Sequence, residues 1–289
     1  MIAALLIGGA ALAHATWNIA MKRAGTSGTP FIAATLLVGV IALAPFGVVS
    51  LATEPPAQDG WYVVALVAGS ATLQLAYFLL LQRGYRLADV GVVYPVARGV
   101  GPLLSVVAAI LLLGERPGPI ALAGALLVVT GVVVIGLAGA RRASLDAGRR
   151  VRGIRYGAAV GVVIAAYTLW DAAAVTLAGL APVGYYWASM VVQLLVLGAI
   201  ALRTPATAAE TARAHPIAAV LVGVLSPLAY IAVLFAYQLA PVTIVAPARE
   251  VSVVLIALAG WMLFREPHPV RRILGSIVVI GGVALLALG

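Results

Sequence analysis

The chain is a succession of apolar runs, each about 20 residues long, and this pattern decides what it can fold into. About twenty residues in a helix rise roughly 30 Å, the thickness of the hydrocarbon core of a bilayer. Ten such runs occur, at about 2–21, 30–52, 61–82, 90–113, 119–139, 156–178, 183–202, 217–237, 242–263 and 270–288. Of the 289 residues, 64% are hydrophobic and 9% charged. A soluble domain carries about 25% charged residues, and this chain has too few to clothe a water-facing surface. The longest connection, Arg141 to Arg155, is about 15 residues, too short for a soluble catalytic or ligand-binding domain. The expected fold class is an all-α integral membrane protein with ten transmembrane helices. The first run holds His14 and Asn18 with no basic residue before it, so it reads as the first mature helix rather than a secretory signal.

The net charge of +9 is first of all a statement about orientation. With the N-terminus outside, Lys22, Arg23, Arg83, Arg86, Arg141, Arg142, Arg149, Arg150, Arg152, Arg155, Arg203, Arg213, Arg265, Arg271 and Arg272 all fall on the cytoplasmic side, and Arg116 alone opposes them. Basic loops stay in the cytoplasm, so both termini are expected outside, in a multi-pass protein of the plasma membrane (bacterial inner membrane). The connection RRASLDAGRRVRGIR then serves orientation and lipid headgroups, and nucleic acid is not an expected partner. The chain has no cysteine and no GxxxxGK[ST], HExxH or GxSxG motif. No cofactor or metal is therefore expected, and the chain does not read as an enzyme or an ATP-driven pump.

The chain also repeats itself. HATWN at 14–18 aligns with YTLWD at 167–171, placing Trp17 on Trp170 and Asn18 on Asp171. GYRLADVGVVYPVARG at 84–99 aligns with AYQLAPVTIVAPARE at 236–250, placing Tyr85 on Tyr237 and Arg98 on Arg249. Further on, Glu115 falls on Glu266, Gly124 on Gly275 and Gly131 on Gly282. The expected organisation is one repeat over 1–140, a basic linker over 141–155 and a second repeat over 156–289. Five helices end on the opposite side of the membrane from their start, so the two copies are inverted, as in many secondary transporters.

Two five-helix repeats, each with a mid-helix proline and arginine (PVAR at 95–98, PAR at 247–249), a glutamate turn seventeen residues on (GER, REP) and then a glycine-spaced helix, resemble the EamA family of the drug/metabolite transporter superfamily. The resemblance covers essentially the whole chain. It implies a ten-helix, exporter-like permease with a central cavity that moves small metabolites by alternating access, and it implies no particular substrate.

Polar residues inside the runs mark the candidate site. Arg98 lies about 12 Å into the fourth run, where a charge costs about 2.5–3.5 kcal/mol on insertion scales, so it should face a wet cavity or an acid. Arg249 has the same depth in the ninth run, and each follows a proline, Pro95 or Pro247. Pro102 adds a third break point. Tyr94 shares the face of Arg98, whereas Glu250 is better placed to reach another helix than to pair with adjacent Arg249. His14, Trp17 and Asn18 form one helical stripe, and Tyr167, Trp170 and Asp171 form another. Gln74 and Tyr77, then Tyr186, Ser189 and Gln193, then Ser226 and Tyr230 add polar faces whose expected destination is the bundle interior. The candidate solute-binding set is Arg98, Arg249, His14, Trp17, Asn18, Gln74, Tyr77, Tyr94, Tyr167, Trp170, Gln193 and Tyr230. Asp171 and Glu250 are candidate proton-coupling or ion-pair carboxylates, and Pro95, Pro102 and Pro247 candidate hinges.

Two readings of these charges stand open. The arginines either lock the repeats through salt bridges to Asp171 and Glu250, or grip an anionic group of a solute. His14 is either a core hydrogen-bonding residue or a solute contact, and Trp17 and Trp170 either pack or floor the site. Glu115 and Glu266 read as solvated turn or interfacial gate residues, Trp61, Trp187 and Trp261 as an interfacial belt, and Gly157/Gly161, Gly124/Gly131 and Gly275/Gly282 as close-packing seams. The function expected is a secondary active transporter, an exporter, of a small amphipathic metabolite such as an amino acid or organic anion. The alternative is a proton-coupled multidrug or organic-cation antiporter. The expected partners are a small-molecule solute, the lipid bilayer and coupling protons, in a monomer or weak homodimer.

A chain without native cysteines lends itself to a topology test. Ser144→Cys, in the basic connection, should resist a membrane-impermeant maleimide in intact cells and react after permeabilisation; labelling from outside would reverse the orientation.

Overall fold

The computed structural model describes residues 1–24, 28–88, 90–139, 147–203, 213–265 and 268–289. Hydrocarbon offers backbone N–H and C=O groups no partner, so a spanning segment satisfies them internally as a helix. The described helices are α1 (Ile2–Ala24), α2 (Thr29–Thr53), α3 (Gly60–Leu87), α4 (Val90–Leu112), α5 (Pro119–Gly139), α6 (Ala147–Thr176), α7 (Pro182–Ala201), α8 (Pro216–Leu239), α9 (Val242–Ala248), α10 (Val251–Phe264) and α11 (Pro269–Leu288). They supply 10 segments long and apolar enough to cross a membrane, α9 and α10 forming one of them. No strand occurs among the described residues. Proline in the first turn starts α2, α7 and α11, where its missing N–H costs nothing. Gly114 after α4 and Gly179 after α6 take φ of 70° and 68°, the left-handed conformation in which helices commonly end.

One boundary differs from the sequence expectation. Helix α6 begins at Ala147, so Arg149, Arg150, Arg152 and Arg155 lie exposed on its first turns rather than in an irregular linker. Arginine is a good helix former, and its long stem lets the charge stay in water while the helix continues into lipid. Arg141 and Arg142 lie outside the described residues.

The chain divides into two compact units, Met1–Thr72 with Trp170–Gln238, and Leu73–Leu169 with Leu239–Gly289. Each unit draws on both halves of the sequence.

In the first unit Phe31 of α2 is fully buried against Ala218, Ala219 and Val222 of α8, with Trp17 and Met21 of α1 packed on them. A Cβ added at Gly39 would lie 2.5 Å from the Gly223 carbonyl oxygen, so α2 and α8 approach almost to backbone contact. Trp187 of α7 packs on Gly47 of α2 and donates its indole N–H to the Val40 carbonyl at 3.0 Å. It is therefore a packing residue, unlike Trp61 and Trp261, which are 72% and 38% exposed as an interfacial belt requires.

The second unit is built around glycine seams. A Cβ on Gly131 of α5 would lie 2.7 Å from the Gly275 carbonyl oxygen of α11, and one on Gly282 would lie 2.7 Å from the Gly124 oxygen. Likewise Gly157 and Gly161 of α6 receive Val96 and Val100 of α4. Lipid tails are as apolar as leucine, so helices in a membrane cohere through such close contact rather than by hiding from water. Ala97, Val160 and Ile164 form a buried core under Tyr77 and Tyr167.

Substitution at the seam tests this account. Gly131→Leu should destabilise the protein by about 1–3 kcal/mol through overpacking, read as a lower melting temperature in detergent. Gly281→Ala, where an added Cβ meets nothing within 4 Å, should be neutral or stabilising by up to about 1 kcal/mol.

Candidate functional site

The second unit gathers Gln74, Tyr77, Tyr94, Pro95, Arg98, Pro102, Tyr167, Pro247, Arg249 and Glu250. Its ninth span does not run straight through. Pro247 has no N–H to give the Thr243 carbonyl, and the bonds that follow tighten from the Arg249 N–H on Val245 O to i→i−3 contacts. Glu250 N–H reaches Pro247 O at 2.9 Å, and Val253 N–H reaches Glu250 O at 2.8 Å. Arg249 and Glu250 thus sit in the break between α9 and α10. By contrast α4 stays helical through Pro95 and Pro102, and the Pro95 ring lies where Gly136 of α5 leaves room for it.

The break turns Glu250 onto α4. Arg98 donates through Nη1 to Glu250 Oε1 at 3.1 Å and Oε2 at 3.2 Å. Arg249 Nε stands 3.7 Å from the same Oε1. Glu250 is 1% exposed, Arg98 15% and Arg249 12%, so one carboxylate serves two nearly buried guanidiniums. Aromatic faces complete the surroundings. The Arg98 Cζ lies 5.5 Å from the Tyr94 ring centre, and the Arg249 Cζ lies 5.9 Å from that of Tyr167. Tyr77 meets Tyr167 edge-on at 5.8 Å. These are cation–π distances, in which the ring quadrupole spreads part of the charge. Gln74 is half-buried on α3.

Glu115 is missed as a functional residue by sequence reasoning. Its carboxylate accepts from the Val242 N–H at 2.7 Å and the Thr243 N–H at 2.8 Å, capping α9 from the α4–α5 turn. A helix start leaves such amides without intrahelical acceptors and carries a partial positive charge, which a carboxylate satisfies. Its repeat counterpart, Glu266, lies outside the described residues.

The first unit gathers His14, Trp17, Asn18, Trp170, Asp171, Gln193 and Tyr230. Asp171 is fully buried. Tyr185 donates to its Oδ1 at 2.7 Å and Tyr230 to its Oδ2 at 2.5 Å, while Tyr186 lies 4.7 Å from the Tyr230 ring. On the same face of α7, Gln193 Nε2 donates to the Ser189 hydroxyl, which bonds to Ser70, both at 3.2 Å. Asn18 turns its amide back onto the His14 carbonyl at 2.8 Å. His14 and Trp17 form an edge-on pair at 4.8 Å, and the Trp17 indole N–H is buried with no hydrogen-bond acceptor among the described residues. Trp170, by contrast, is 38% exposed, packs on Gly69 and donates to the Leu66 carbonyl at 2.8 Å. The two repeat-related tryptophans therefore do different things. Tyr185 escaped the sequence reading because it neighbours Tyr186, and only the position of α6 tells which of the two faces Asp171.

The model of the EamA-like transporter family matches residues 1–137 and again 151–288. A crystal structure described only as "Crystal structure of protein" superposes with a TM-score of 0.73, covering 99% of this chain and 98% of that chain at 20% sequence identity. No curated protein matches the chain by sequence.

The cap on α9 can be measured directly. Glu115→Ala leaves two amides unsatisfied and should cost about 1–3 kcal/mol, with faster hydrogen exchange at Val242 and Thr243; unchanged exchange there would show that the carboxylate does not hold the helix.

Proposed function

Because the chain belongs to the EamA-like transporter family, a multi-pass membrane transporter of the drug/metabolite type, we propose that it is a secondary active exporter of a small amphipathic anion or zwitterion such as an amino acid. The observation that carries this reading is the sharing of Glu250 by Arg98 and Arg249. The planar fork of N–H donors on each guanidinium matches a carboxylate, so side chains that hold Glu250 are also suited to hold a solute carboxylate. A solute carboxylate would take the place of Glu250 on an arginine, while the faces of Tyr77, Tyr94 and Tyr167 take its apolar body. Alternating access follows if the solute and Glu250 exchange places on an arginine as α9 moves about the Arg249–Glu250 break. In this reading Asp171 carries the coupling proton, and both termini lie outside a plasma membrane.

A second reading draws on the first unit. A buried carboxylate beside the rings of Tyr185, Tyr186 and Tyr230 is the chemistry that holds an organic cation, which would make the protein a proton-coupled cation antiporter.

Flux into proteoliposomes separates them. Arg98→Ala should weaken the apparent affinity for an anionic or zwitterionic solute about 10- to 100-fold, the equivalent of a lost charged hydrogen bond. Asp171→Asn should abolish proton dependence. Organic-cation flux that survives Arg98→Ala and is lost in Asp171→Asn would establish the second reading, and undiminished transport in both variants would sink both.

A further inference from the structure

The first unit holds an apolar groove of about 350 Å³ where the end of α2 meets the starts of α3 and α7. Its size falls at the lower end of the roughly 300–1,000 Å³ range of small-ligand sites. Leu51, Val64, Val67, Ala188 and Val191 wall it, and the Tyr185 and Trp187 rings close its inner side. Both rings are fixed from behind, Trp187 by its bond to Val40 O and Tyr185 by its bond to Asp171. The groove is thus a formed recess rather than a gap that neighbouring side chains can fill.

Its mouth is acidic. Glu54, the residue that ends α2, is the only charged side chain among the described residues that line the groove. Its Oε2 accepts from the Ser50 hydroxyl at 2.9 Å, and that hydroxyl accepts the Gly184 N–H at 3.2 Å, so the carboxylate is held at the α2–α7 junction. Asp59 stands exposed on the same connection. No lysine, arginine or histidine occurs in 54–59 or 177–181, the segments that frame this end. An anionic headgroup at this mouth would meet the Glu54 carboxylate and no cation among the described residues that line the groove. A primary ammonium would meet a carboxylate able to accept its N–H groups in charge-assisted hydrogen bonds.

We propose that this groove binds one acyl chain of a phospholipid whose headgroup carries a primary ammonium, with that ammonium on Glu54. The bound chain backs the ring of Tyr185 and so buttresses the hydroxyl that Asp171 accepts. The site does not depend on what the protein transports, and its test reads binding.

Purified protein is reconstituted in mixtures containing dioleoyl-phosphatidylethanolamine, -phosphatidylcholine or -phosphatidylglycerol, and retained lipid is read by native mass spectrometry alongside the melting temperature. The ethanolamine lipid should be retained best and raise the melting temperature most. Glu54→Gln should reduce its retention about tenfold or more, to the level of the choline lipid, without loss of fold. Ala188→Trp, which fills the recess, should lower retention of all three. Equal retention of the ethanolamine and choline lipids, best retention of the glycerol lipid, or an ethanolamine preference that persists in Glu54→Gln would each overturn the assignment.

Discussion

A charge placed in hydrocarbon has to keep its counter-charge beside it, and the arrangement of the second unit answers to that constraint. Arg98 and Arg249 are both nearly buried, and Glu250 is the carboxylate shared between them. Glu250 reaches Arg98 from the ninth span where the helix stops, after Ala248 and one residue beyond Pro247. The faces of Tyr94 and Tyr167 stand at cation–π distance from the two guanidiniums. In the first unit Asp171 keeps its own company by a different means, accepting hydrogen bonds from the Tyr185 and Tyr230 hydroxyls.

The repeats are similar in sequence and unlike in what they do at this point. Arg98 and Arg249 correspond, yet the residue after the first is Gly99 and the residue after the second is Glu250. Gly99 admits Val133 of α5 against the backbone of α4, so the first repeat closes up where the second opens. One inherited arginine position has thus become a donor in a straight helix, and the other lies at a break. Both arginines lie within the stretches that the family model matches, and a glutamate follows only the second of them.

What could be read from the sequence was whatever is local and periodic. Ten apolar runs announce ten spans, and glycines at 124, 131, 275 and 282 announce a seam because only close helix contact requires them. What could not be read depends on partners far away in the chain. Glu115 looked like a solvated turn because its acceptor role lies 127 residues on, at Val242. Pro95 and Pro102 read as break points of α4, which stays helical through both, with Gly136 of α5 making room for the Pro95 ring. Trp170 sits in a polar stripe and still lies more than a third exposed, since the Leu66 carbonyl offered its indole a partner on the other side.

The seven residues of α9 can also be seen as a beam resting on two supports, about 10 Å apart. One support is the Glu115 cap, the other the grip of Glu250 on Arg98. Both supports stand on the same partner, the α4 helix and the turn that follows it. Lifting the inner support leaves α9 anchored at Glu115, and its displacement is greatest at the far end, where Arg249 sits in the turn into α10. A small tilt at the membrane surface and a large swing in its interior are then the same motion seen from two ends.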